Sequence, residues 1–79
     1  MTFYYVTIFE ENGRYDPKFD QNKTGQMNLI RMASTLGAKL VYRGEIQDAD
    51  QGILLNKFVQ EANKTGKFDG KKLDELLET

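Results

Sequence analysis

The chain has 79 residues, 39% hydrophobic and 29% charged, the composition of an ordinary folded domain rather than a disordered segment. Eleven Lys and Arg against twelve Asp and Glu give a net charge of −1, so no overall field draws it to nucleic acid or to an anionic membrane. Cys and His are both absent, which removes disulfides, thiolate and imidazole metal ligands, the Cys nucleophile and the usual general base.

A chain of this length is expected to form one domain over residues 1–79. It buries only about 60% of its unfolded surface, which leaves little room for an internal active-site cavity. No apolar run approaches the roughly 20 residues of a membrane span, and the first residues lack the charged-then-apolar order of a signal peptide. A cytoplasmic location is the expectation.

The stretch from Thr2 to Phe9 is nearly all β-branched or aromatic and reads as a strand. Alternation puts Tyr4, Val6 and Ile8 on one face and Phe3, Tyr5, Thr7 and Phe9 on the other. Both faces are largely apolar, so the strand should be central in its sheet and covered on at least one side. Asn12-Gly13 follows, a pair suited to the positive φ angles of a type I′ turn, so Arg14, Tyr15 and Asp16 can fold back as a second strand. Pro17 cannot donate to a ladder, which keeps that strand short or at an edge. The alternative is a plain loop from Glu10 to Asp20.

From about Asn22 to Leu36 the spacing becomes helical, with Leu29, Met32, Ala33 and Leu36 on one stripe that Met27 and Ile30 widen. Asp20, Asn22 and Thr24 are each suitable N-caps, and Gly37 suits the C-terminal stop. Ala38 to Glu45 reads as a further strand, with Leu40 and Tyr42 on one face and Val41 and Arg43 on the other. Strand, helix and strand suggest a βαβ unit with parallel strands and a right-handed crossover. If the hairpin forms, the order becomes β-β-α-β and the last strand can run either way.

A second helix is predicted over about Gln51 to Lys64, capped by Asp48 or Asp50 and ended by Thr65-Gly66, with Leu55, Phe58, Val59 and Ala62 as its apolar stripe. A short third helix, capped by Asp69, carries Leu73, Leu76 and Leu77; alone it would be marginal in water, so it must dock on the domain or on a partner. The expected fold is of the α/β type (α+β class): a two- or three-stranded sheet in the order β-(β)-α-β-α-α, with the helices packed on it. The strand–helix–strand opening resembles small α/β domains in general, ferredoxin-like ones among them, and no residue pattern ties the chain to a family.

Few patterns carry chemistry. Asp20 to Gly25 copies the start of an EF-hand loop, but the twelfth position, where a bidentate Glu belongs, is Arg31. Asn-Lys-Thr-Gly occurs at 22–25 and again at 63–66; one copy opens a helix and the other closes one, so helix-boundary chemistry explains both. Glu10, Glu11 and Glu45 have no context that would raise a carboxyl pKa for acid–base work. No enzyme activity, metal or cofactor is expected.

What remains is binding. The first strand has more large apolar side chains than one covered face needs, and an exposed patch of that kind marks an interface. The candidate binding residues are Phe3, Tyr5, Phe9, Tyr42 and Arg43 on the sheet and Leu73, Leu76 and Leu77 on the last helix. The expected function is a non-enzymatic protein-binding module, acting as an inhibitor, adaptor or assembly component; a phage- or plasmid-type regulator of a host protein is compatible with the size. The edge of a small sheet can also accept a partner strand, and a homo-oligomer is compatible with the sequence. The alternative is a single-stranded RNA or DNA binder that stacks bases on sheet aromatics such as Tyr5 and Tyr42, with Arg43 on the backbone. No membrane partner is expected.

Overall fold

The computed structural model describes residues 4–78, with elements β1 (Tyr4–Glu11), β2 (Arg14–Asp20), α1 (Lys23–Thr35), β3 (Lys39–Ile46), α2 (Ala49–Thr65) and α3 (Gly70–Glu78). This is an α+β fold with one three-stranded antiparallel sheet in the order β2-β1-β3. The β1–β2 hairpin turns on Asn12 (φ 54°) and Gly13 (φ 79°), the two positive angles a type I′ turn demands. β2 runs on past Pro17 to Asp20, longer than the Arg14–Asp16 segment the sequence suggested. It can do so because Pro17 sits on an edge strand, in a position whose missing N–H would not have reached β1.

The crossover differs from the expected one. β3 pairs antiparallel with β1, not parallel to it. The hairpin has already reversed the chain, so α1 joins β2 to β3, two strands that run in the same direction with β1 inserted between them. The register Ile8↔Tyr42, Phe9↔Leu40 skips Val41, a bulge in β3. Leu40 therefore lies on the face of Phe9 and Tyr42 on the face of Ile8. The expectation that Leu40 and Tyr42 share a face fails at that extra residue.

Both faces of the sheet are covered. Val6 and Ile8 of β1 and Ile46 of β3 pack with Leu55 and Val59 of α2 and Leu73 and Leu77 of α3 in one buried cluster. α1 touches all three strands but neither of the other helices, which touch each other, so it occupies the opposite face. There it covers Thr7 and Phe9, and Gln26, the one buried residue of α1, donates from Nε2 to the Val6 carbonyl at 3.0 Å. Among the described residues no helix is long and apolar enough to cross a membrane.

Local chemistry sets the helix ends. Asn22 caps α1 by accepting the Gly25 N–H at 2.7 Å, and Asp48 caps α2 by accepting that of Gln51 at 2.9 Å. Asp69 accepts the N–H groups of Lys71 and Lys72 at the start of α3. Gly37 (φ 87°) and Gly66 (φ 76°) end α1 and α2 in the left-handed conformation, as expected for C-terminal stops. The side chain of Gln51 donates to the Leu77 carbonyl at 2.6 Å and accepts the Gln47 N–H, tying the end of α3 to the start of α2.

Candidate functional site

The described candidate aromatics Tyr5, Phe9 and Tyr42 are buried or half-buried rather than displayed as a platform. Phe9 is buried beneath α1, and Tyr5 is half-buried on the same face. Phe3 lies outside the described residues. Leu73 and Leu77 are buried in the cluster against α2 and the sheet, whereas Leu76 is 37% exposed. Arg43 is exposed on the α1 face, its Nη2 at 3.2 Å from the Met27 sulfur. The seven described candidates thus fall on both faces of the sheet and do not gather into one surface.

Tyr42 is held by three neighbours. Its hydroxyl donates to Asp74 of α3 at 2.6 Å, its ring meets Phe68 edge-on at 6.3 Å, and the ring lies so close to Gly44 that a Cβ there would come within 2.9 Å of the hydroxyl oxygen. Burial, then the hydrogen bond to Asp74 and the charge of that carboxylate, push the phenol well above its ordinary value. Phe68 also stacks on Tyr15 at 5.2 Å and meets Phe58 edge-on at 5.6 Å. It joins β2, β3 and α2 from the linker before α3. The sequence did not single out Phe68, because a lone aromatic in a four-residue linker belongs to no periodic stripe.

The groups that suggested a cation loop have structural work instead. Asn22 is the α1 cap, and Asp20 approaches the Asn22 N–H at 3.4 Å and fills the space where a side chain on Gly25 would project. The second Asn-Lys-Thr-Gly copy does something different again: Asn63 reaches from α2 to the backbone of Tyr15.

The surface that stands out includes two residues that the sequence placed on the apolar stripe of α1. Met32 and Leu36 of α1 are 62% and 75% exposed, and Leu40, on the same face of the sheet, is 39% exposed. Met32 and Leu36 line a groove of about 190 Å³ between the C-terminal half of α1 and the sheet, together with Phe9, Leu29, Ala33 and Ala38 and the charged Glu11, Asp16 and Lys18. Its origin lies in β2. Register puts Asp16, Lys18 and Asp20 on the α1 face, opposite Phe9, Thr7 and Tyr5, and Asp16 and Lys18 form an exposed ion pair at 3.2 Å. Pressing apolar side chains onto these groups would strip them of water at a cost the contact could not return. The last turns of α1 therefore stand off, with half of the apolar stripe uncovered. The alternation of charges in β2 was readable in the sequence and is the signal that could have located this groove.

Comparison of the chain with protein-family models, with curated proteins and with solved structures finds no match in any of the three. The fold defines a class, a small α+β domain, and the functional reading rests on the surface just described.

Proposed function

We propose that the chain is a non-enzymatic protein-binding module, acting as an inhibitor, adaptor or assembly component, and that it binds through the groove beside α1. The observation that carries this reading is the display of Met32 and Leu36, 62% and 75% exposed, beside an apolar groove. Covering two such side chains is worth about 3 kcal/mol, a substantial anchor for an interface. The groove, at about 190 Å³, is smaller than the roughly 300 Å³ at which small-molecule sites begin, and it suits one apolar side chain from a partner. A nucleic-acid reading draws less support, since stacking needs open aromatic faces and Tyr42 is packed against Phe68 and Gly44.

The test is a pull-down from the source organism with the wild-type chain, with Met32→Asp/Leu36→Asp, and with Leu76→Asp. The exposed positions on α1 should tolerate Asp with little loss of stability. A partner captured by the wild type and by Leu76→Asp, and lost by the double variant, is expected. Retention by all three would move the site elsewhere, and absence of any partner would remove the reading.

A further inference from the structure

The two edges of the sheet are not equivalent. At β2, Asn63 accepts the Tyr15 N–H at 2.7 Å and donates to the Tyr15 carbonyl at 3.0 Å. Both backbone groups of Tyr15 thus point away from β1. Direction alternates along an antiparallel ladder, so Tyr15, Pro17 and Phe19 all point outward. The first is occupied by Asn63 and the second has no N–H. An added strand would find a full donor and acceptor pair only at Phe19, so this edge is guarded.

The same alternation fixes the other edge. Glu10 lies opposite Tyr15, so its backbone groups turn toward β3, as do those of Ile8, Val6 and Tyr4. Gly44 and Ile46, opposite Val6 and Tyr4, turn inward to meet them. Arg43 and Glu45 therefore aim their backbone N–H and C=O groups outward, on the side of β3 where no strand lies among the described residues. The bulge at Val41, with Gly70 near its carbonyl, confines any added strand to the stretch from Tyr42 to Ile46.

A second copy of this chain fits that stretch in one register. Outward residues must face outward residues, which leaves Arg43 on Arg43, Glu45 on Glu45, or Arg43 on Glu45. The first two place like charges directly opposite one another, which is unfavourable across strands. The third places two opposite-charge pairs symmetrically about Gly44. There two glycines meet in a pair whose Cα atoms approach to about 4.5 Å, and neither has a side chain toward the other. Within the chain the Arg43 guanidinium contacts the Met27 thioether, a weak acceptor that leaves its other donors for a carboxylate. Glu45 has an interaction of its own within the chain, and the several lone pairs of a carboxylate can take a guanidinium in addition.

We propose that the chain forms a two-fold symmetric dimer by antiparallel pairing of β3 edges, with Gly44 on the axis and Arg43 of each copy opposite Glu45 of the other. Each Arg43–Glu45 pair exchanges two backbone hydrogen bonds, and the two sheets become one. The contact is short, so the dimer is a weak one that salt loosens further.

Sedimentation equilibrium of the full chain from about 10 µM to about 1 mM tests this. The wild type should dimerise. Arg43→Glu and Glu45→Arg alone should each weaken association at least about tenfold, and the double reversal should restore it. An equimolar mixture of the two single variants should associate as the wild type does, because one brings two carboxylates and the other two guanidinium groups. Far-UV circular dichroism of each variant verifies folding, and the mixture reads the pairing even if one variant is less stable. A wild type that stays monomeric to about 1 mM overturns the proposal. So does a dimer unaffected by either reversal, a mixture no tighter than its components, or a dimer abolished by Leu36→Asp instead.

Discussion

Thr7 and Gln26 lie 1% and 2% exposed on the α1 face of the sheet, with opposite outcomes for their polar atoms. Gln26 bonds the Val6 carbonyl, whereas the Thr7 hydroxyl has no hydrogen-bond partner among the described residues. An unsatisfied buried hydroxyl costs about 1–3 kcal/mol, and Val offers the same shape and β propensity without it. Thr7→Val should therefore raise stability by about 1 kcal/mol, read as a higher urea midpoint at unchanged slope. Tyr42 makes a pH-dependent prediction. Its phenol is raised in the folded state by burial and by Asp74, so the folded chain holds that proton more tightly than the unfolded chain, where it titrates near about 10. The resulting stability is complete below that unfolded value and is lost as pH rises beyond it. The stability advantage of the wild type over Tyr42→Phe should shrink steadily as pH rises above about 10, whereas parallel curves in urea titrations would show that the phenol does not titrate as described.

At the scale of elements, what could be read in advance depended on how local the cause was. Asn12-Gly13 predicts its turn because the required φ angles are a property of those two residues, and Asn22, Asp48, Gly37 and Gly66 mark helix ends for the same reason. The bulge at Val41 was illegible, because β-branched and aromatic neighbours alternate equally well with or without it. The direction of β3 was undecided, since strand and helix patterns carry no sense of pairing. The Asn63–Tyr15 clamp spans 48 residues and no local pattern encodes it. It satisfies two backbone groups at the β2 edge, so Asn63→Ala should cost about 1–2 kcal/mol and speed amide exchange at Tyr15. An unchanged Tyr15 exchange rate would mean that the clamp does not protect the edge.

At the scale of the whole molecule, three strands carry helices on both faces. The first strand was legible as the organiser, and Val6 and Ile8 are central to the buried cluster. Whether its second face was core or surface was not, because that depends on where α1 lands. α1 lands over Thr7 and Phe9, which turns the expected aromatic surface inward, and it overhangs the charged side of β2, which turns Met32 and Leu36 outward. Periodicity placed those two residues on one stripe with Leu29 and Ala33 but could not tell that the sheet stops short of them. The surfaces left for a macromolecular partner are this overhang, which lies toward β2, and the free edge of β3 at the opposite side of the sheet.

The central claim, that a protein partner docks on the α1 overhang, is tested most directly by a photo-crosslinking residue placed at position 36 and, as the comparison, at position 54. Leu54 is also partly exposed, but on α2 across the sheet. In a lysate of the source organism, position 36 should give a discrete adduct with another protein that position 54 does not give. No adduct at position 36, or the same adduct from both positions, would contradict the account.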